Sequence, residues 1–471
     1  MKIVVESKIQ TYGEIFGSVD LRSAVLASIN FKEERDLLGE IINLAGNYQR
    51  GIKVGKIEEL HPNQITEVEK HLGQSHDCST TGFLHIGRAF FQRVDARELE
   101  SAQQYRQVTF DKLLDLRIEN KPGRPILKDA IILPGLSSQK MAFQVAVEAG
   151  IPLGRVEVTD FANTEMKVGV LDSVRGKNVF IVQPFGYDSS RQLQTLKLLM
   201  NAVKLAGAEE INLVLPSFPF ARQDRKPSHI RAPISAQVVA SDLVHEGMDR
   251  LITLEIHAQQ IVGFFEKRPV DNLLGIPLAT REAIRDYHDD RIVLAYPDYG
   301  MSKRAKDDGH STIIQNQLGR IVPKIELRKD RPDTNKSDIE ILGDKSAIPG
   351  ATVLLPDDLI DTAGTNLSGA HALRDAGAAK VIVAAAHGVM SIDAIERLKY
   401  ERAKDGSRLI ERVYVTDSLP LYKSPYNVET GEEVIKVVSS AGLLGEAVRR
   451  IGEKNGDSLR ELFEQQTYYH L

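Results

Sequence analysis

The sequence predicts an α/β protein with two parallel-sheet domains, preceded by an amino-terminal extension of different character. Three observations carry this. From residue 128 onward, short apolar and β-branched runs alternate with helical periods; these runs fall into two series; and residues 1–127 show no comparable alternation. Continuous apolar runs suit strands buried on both faces, and strand–helix–strand spacing calls for crossover connections and hence parallel sheets. At roughly 150 residues per domain, 471 residues leave room for both domains and the extension.

In the extension, FKEERDLLGEIINLAG (31–46) has the spacing of an amphipathic packing or interface helix. His71, His76, Cys78 and His85 invite a zinc reading. Their spacing fits no familiar finger, and Cys78 is the single cysteine, so a zinc site is disfavoured. ENKPGRP (119–125) is a linker by composition. The first strand series is AIILPG (130–135), VFIVQ (179–183), INLVLPSF (211–218) and LITLEIH (251–257). Between its second and third members, SRQLQTLKLLMNAVKLAGA (190–208) reads as a helix stopped at Gly207. The second series is RIVLAYPD (291–298), ATVLLPDD (351–358), AKVIVAAAH (379–387) and ERVYVTD (411–417). The expected division is therefore 1–127, 128–278 and 279–471, with the last helix packing back on the preceding domain.

Composition narrows the function. The net charge is −5, without the basic stripe of a nucleic-acid binder. No apolar run approaches the ~20 residues that span a bilayer, and MKIVVESKIQ lacks the blocks of a secretory signal. One cysteine cannot form an internal disulfide, which suits a reducing compartment. The expectation is a cytoplasmic enzyme that binds neither nucleic acid nor membrane.

In parallel α/β sheets, ligands bind where strands run into helices. LLPDDLIDTAGTNLSGAHALRDAG (354–377) places Asp357, Asp358 and Asp361 at a strand end, then Thr362, Gly364 and Thr365 at a helix start. Small and hydroxyl residues there leave backbone N–H groups to cradle a phosphate, and the carboxylates suit sugar hydroxyls or Mg²⁺-bound water. Three Asp in five residues exceed what helix capping requires. LPSFPFARQDRK (215–226) packs Arg222, Gln223, Asp224, Arg225 and Lys226 behind a strand. Arg offers a bidentate grip on phosphate, and Gln can read an adenine edge. A solvated surface loop would be the ordinary reading of such a charge run.

The first of these motifs resembles the phosphoribosyl-pyrophosphate loop of the type I phosphoribosyltransferase fold. The second, with RAPIS (231–235), resembles the nucleotide loop of the ribose-phosphate pyrophosphokinase family. FANTE (161–165) is similar to the family's loop that reaches ATP in a neighbouring subunit, which implies Phe161, Asn163 and Glu165 near adenine. EIHAQQIVGFF (255–265) and YPDYGMSKRA (296–305) resemble the segments that imply His257 and Asp298 as Mg²⁺ residues. LRKDRP (327–332) resembles the mobile catalytic loop, implying catalytic Lys329 and Arg331.

The resemblance implies two phosphoribosyltransferase-like domains and transfer of diphosphate from MgATP to ribose 5-phosphate. Arg222, Gln223 and Asp224 would hold ATP; Asp357, Asp358, Asp361, Thr362, Gly364 and Thr365 would hold ribose 5-phosphate. A homo-oligomer built from dimers, such as a hexamer, is implied, as is phosphate or ADP regulation through Arg175 and the Ser458 region.

Departures from the family pattern are Glu255 for aspartate, Pro356 before the Asp pair, Ala386 for threonine, and Met301 for a second glycine after Gly300. Glycine there would allow close backbone approach to pyrophosphate. Two other readings stay open: a pyrophosphokinase for another ribose phosphate, such as a nucleotide-linked one, and a non-catalytic regulatory relative. The second would be expected to lose Lys329, Arg331, His257 or the aspartates, all of which are present. A phosphoribosyltransferase would not need residues 222–226.

Overall fold

A computed structural model describes residues 126–453 except 137–138, 308–309, 330–338, 422 and 428–429, together with 456–459 and 462. The helix expected at 31–46, the His71, His76, Cys78 and His85 group, and Arg331 lie outside the described residues.

Two lobes follow in chain order. The first runs β1 (Ala130–Pro134), α1 (Gln139–Ala149), the hairpin β2 (Val156–Asp160) and β3 (Met166–Val170), then β4 (Asn178–Val182), α2 (Ser189–Leu205), β5 (Glu210–Leu215), α3 (Ser235–His245), β6 (Arg250–Leu254), a 3-10 turn at Gln259–Phe265, and β7 (Val270–Leu273). Its sheet has the order β1-β4-β5-β6-β7, every pair parallel. The side chains of α2 and α3 pack on one face with Phe185, Leu213 of β5 and Phe265. Those of α1 pack on the other with Ile132, Phe180 and Ile252. The strands are apolar throughout because both faces are covered.

The second lobe opens with α4 (Ile276–Asp286), then β8 (Ile292–Tyr296), α5 (Tyr299–Asp307), α6 (His310–Leu318), β9 (Lys324–Lys329), β10 (Ile339–Gly343), β11 (Thr352–Ile360), α7 (Gly364–Asp375), β12 (Lys380–Gly388), α8 (Ala394–Tyr400), β13 (Arg412–Thr416), β14 (Ile435–Val438) and α9 (Ala441–Gly452). The sheet order is β10-β9-β8-β11-β12-β13-β14, parallel except for β10 at the edge.

All eight predicted strands are present. The sequence boundary at 278/279 falls inside α4, which starts after Gly275 with a proline in its first turn and packs on β11, β12 and β13. The second lobe therefore begins near Ile276. The last helix, α9, returns to the first lobe: Leu444, Ala447 and Val448 join the α1 side of that core. Arg449 donates to the Ala149 carbonyl at 2.9 Å. The helices touch so closely that a Cβ on Gly445 would lie 2.3 Å from that of Glu148. No helix among the described residues is long and apolar enough to cross a membrane.

Candidate active site

The strand ends of both lobes face one cleft, with a cavity of about 390 Å³ whose walls include Phe185, Phe218, Arg222, His257, Leu359 and His387. β11 brings carboxylates up beside it, Asp358 against His257 and the following Asp361 against Arg222. Its pairing to β8 stops at Leu354, while its pairing to β12 continues to Ile360, so Pro356 sits beyond the β8 register. A residue without N–H is tolerated there. Alternation along the strand sends Asp357 and Asp358 to opposite faces. Asp357 accepts the Asn366 amide at 3.0 Å and the Asp358 backbone N–H at 2.9 Å. Burial, and then the adjacent Asp358 charge, push its carboxyl well above the ordinary range, and the Asp298 charge adds to this. Asp358 receives the His257 Nδ1–H at 2.9 Å.

Asp361 closes the strand end. Burial works to raise its carboxyl, but hydrogen bonds from Ser391 and Arg222, with the Arg222 charge, outweigh it and hold the group below the ordinary range. The chain then passes through Ala363 in the left-handed region (φ 59°) into α7, whose first turn carries no side-chain cap. Its initial N–H groups are thus available to an anion beside Thr362, Gly364 and Thr365. A Cβ on Gly364 would meet only Thr362 Oγ1, at 3.6 Å, so no packed wall closes the space beside the glycine.

The opposite rim is the loop after β5. Phe220 is in the left-handed region (φ 58°). Arg222, with 60% of its side chain exposed, reaches across to the Asp361 carboxylate. Gln223 accepts from the Ser235 hydroxyl and Asp224 from the Gln260 amide, so both are tied to the first lobe while Arg225 and Lys226 are exposed. Phe161, Asn163 and Glu165 occupy the β2–β3 hairpin tip. Phe161 N–H donates to the Glu165 carbonyl at 2.8 Å, Glu165 N–H to Asn163 Oδ1 at 3.3 Å, and Phe161 is 55% exposed.

Asp298 follows β8 and accepts the Met301 N–H at 2.7 Å, which anchors the start of α5. The Met301 side chain is buried with Ile276, Tyr296, Ala305 and Ala386, so its bulk points into the core and not into the loop. Lys329 ends β9, which runs parallel to β8 and brings it to the same end of the sheet as Asp298.

Sequence reasoning overlooked four residues of this neighbourhood. Asn366 and Ser391 orient Asp357 and Asp361. His387 Nε2–H donates to the Leu254 and Glu255 carbonyls at 3.1 and 3.2 Å, and its Nδ1 meets Ser418 Oγ at 2.8 Å. Burial lowers its basicity below that of an ordinary imidazole, against the opposing pull of the Glu255 and Asp358 charges. His310 pairs with Glu255 at 3.0 Å. Only the last had a signal, a glutamate departing from the expected aspartate; the others are ordinary polar residues whose partners lie elsewhere along the chain.

Among the described residues no three His, Cys, Asp or Glu side chains gather around a single ion. Mg²⁺ in general keeps most of its ligands as water and substrate phosphate and takes one or two from protein. His257, oriented through Nδ1 by Asp358, and Asp298 are the side chains that could contribute; a carboxylate-anchored imidazole is a common arrangement at metal sites.

Comparison with known proteins bears on the family. Residues 130–247 match the family described as the N-terminal domain of ribose phosphate pyrophosphokinase, and residues 300–464 match the phosphoribosyl synthetase-associated domain. The chain is 35% identical to the ribose-phosphate pyrophosphokinase of Neisseria meningitidis serogroup A over 337 residues, 71% of this chain and 95% of that one. The Caldanaerobacter subterraneus enzyme of the same name is 38% identical over 333 residues, 70% of this chain and 97% of that one. The solved phosphoribosylpyrophosphate synthetase of Mycobacterium smegmatis superposes with a TM-score of 0.57 at 32% identity, covering 72% of this chain and 100% of that one. From residue 130 onward, in sequence as in fold, the chain belongs to the ribose-phosphate pyrophosphokinase family.

Proposed function

We propose that the protein transfers the β,γ-diphosphoryl group of ATP to the anomeric hydroxyl of ribose 5-phosphate, giving phosphoribosyl pyrophosphate and AMP. The observation that carries this reading is the meeting of the two loops: Arg222 touches Asp361, and His257 touches Asp358. A nucleotide held on the 222–224 loop and a sugar phosphate held on 361–365 would therefore lie next to each other.

The chemistry needs positioning and charge compensation more than covalent help, because attack on the β-phosphorus brings together anionic groups. Bound Mg²⁺, with His257 and Asp298 as its protein contacts, would supply charge neutralisation on the phosphates. Arg222 would release Asp361 and grip ATP phosphate. The first N–H groups of α7, with Thr362 and Thr365, would anchor the 5-phosphate. Asp357 and Asp358 would align ribose hydroxyls with the nucleotide. Lys329 and Arg331 would close over the transferring group and exclude water. Phe161, Asn163 and Glu165, on an exposed hairpin, would serve the ATP site of a neighbouring subunit in a homo-oligomer. Phosphate or ADP regulation through Arg175 and the Ser458 region belongs to the same reading.

AMP release from MgATP, measured with and without ribose 5-phosphate, tests the proposal. Release that depends on the sugar supports it; release indifferent to the sugar contradicts it. A second reading, a pyrophosphokinase for a nucleotide-linked ribose phosphate, is favoured by the exposed rings of Tyr187 and Phe220 at the cleft, on which a further planar group could stack. Stimulation by a nucleotide-linked ribose phosphate in place of the free sugar would select it.

A further inference from the structure

The segment Glu255-Ile256-His257, which carries the proposed metal histidine out of β6, is gripped from both lobes. On its own side, Glu255 N–H donates to the Leu273 carbonyl at 2.8 Å and Ile256 N–H to Asn272 Oδ1 at 2.8 Å. From the second lobe come different contacts. The Glu255 carboxylate accepts the Gly275 and Ile276 N–H groups at 2.9 and 3.2 Å, at the start of α4. It also pairs with His310 Nε2, on the first residue of α6, at 3.0 Å. Both side chains of that pair are buried, at 3% and 0% exposure.

The backbone at Glu255 lies in the left-handed region, φ 43°, where a residue with a Cβ stays only if its surroundings hold it. Capping α4 needs only the two N–H contacts. Burying an imidazole against the same carboxylate adds desolvation that an apolar residue would avoid, so the pair makes little sense as a stabilising device. What it does is fix the carboxylate, and with it the strained turn that aims the next residues. His257 then lands on Asp358. His310 opens α6, the helix that follows α5, and Asp298 anchors the start of α5. The α5–α6 unit thereby touches both proposed metal residues, one directly and one through Glu255.

We infer that His310 is a positioning residue: through Glu255 it sets the placement of His257, and so the affinity of the site for a divalent cation with its nucleotide. This rests on the reading of His257 given above.

The test compares His310→Gln, which keeps a donor near Nε2, with His310→Met, which keeps volume and loses the donor. The probe is Mn²⁺ binding, followed by electron paramagnetic resonance in the presence of a non-hydrolysable ATP analogue. Loss of an orienting contact behind a metal ligand weakens metal binding about 10–100-fold. His310→Met is expected to bind Mn²⁺ about tenfold more weakly, with KM for ribose 5-phosphate within about twofold of wild type, and His310→Gln to recover most of the loss. Wild-type Mn²⁺ affinity in a folded His310→Met protein overturns the inference, as does an equal loss in both variants. Should His310→Met not fold, Glu255→Gln decides, since it keeps an acceptor for the Gly275 and Ile276 N–H groups and loses the charge that pairs with His310: a loss of Mn²⁺ affinity of about tenfold supports the role and wild-type affinity refutes it. A wild-type enzyme that binds Mn²⁺ with the analogue but yields no sugar-dependent AMP contradicts the proposed reaction while leaving this comparison intact.

Discussion

Asp357 is the residue where function and stability pull apart most clearly. Its half-buried carboxyl is held well above the ordinary range by desolvation and by the adjacent Asp358 charge. For an acid whose folded value is raised, the folded state holds its proton longer than the unfolded chain. Stability therefore falls as pH climbs from the unfolded value near ~3.9 through the folded one, and the cost is fully present above it. Asp357→Asn is expected to raise the urea midpoint of the ligand-free protein at about pH 7, with the gain vanishing near about pH 4, while abolishing turnover. The Asn366 amide can turn to accept from the new side chain. A variant whose gain over wild type is no larger at neutral pH than in acid contradicts this account. Arg222 poses the opposite case. Its pair with Asp361 is largely exposed on the arginine side, so Arg222→Ala is expected to change unfolding stability by less than about 1 kcal/mol. The same variant should raise KM for ATP at least about tenfold, since a charge-assisted contact to phosphate is worth roughly 1.5–3 kcal/mol in general. Steady-state kinetics beside thermal melts separate the two effects.

At the scale of elements, the departures from the family pattern become intelligible only when folded. Met301 and Ala386, a larger and a smaller residue than the pattern expects, belong to the same buried cluster with Ile276, Tyr296 and Ala305. The Glu255 carboxylate caps α4 at Gly275 and at Ile276 itself. Three departures far apart in the chain thus adjoin one helix start. Met301→Ala is expected to cost about 2–4 kcal/mol in chemical denaturation by leaving a cavity, and Ala386→Val to recover part of it in the double variant. Additive losses would show that the two residues do not compensate. The sequence pattern exposed the strands because each is apolar on both faces, as Ile292–Tyr296 shows with every residue buried. β2 and β3 escaped it, since their residues are half-exposed and belong to a hairpin apart from either sheet. β9 escaped it because Lys324, Glu326, Arg328 and Lys329 interrupt its apolar positions.

For the whole molecule, the site is an agreement between two lobes, and that is the part a linear reading reached least. Asp361 and Arg222 are both legible as loop residues; that they touch is visible only in three dimensions. His310 and His387 looked like ordinary polar positions because Glu255 lies 55 and 132 residues away. The connection between lobes is reinforced by α9, which leaves the second sheet and packs against α1. Gly445→Ala would place a methyl against Glu148 and the Ala149 backbone, and is expected to lower stability by about 1–3 kcal/mol in denaturant titration. An unaffected midpoint would mean that the α9–α1 contact is looser than the structure has it.

The most direct test of the central claim is phosphorus NMR of the products formed from MgATP and ribose 5-phosphate. The account predicts AMP and a sugar bearing a diphosphate at its anomeric oxygen, in equal amounts. ADP or free phosphate as the product, or AMP formed without a diphosphorylated sugar, would contradict it.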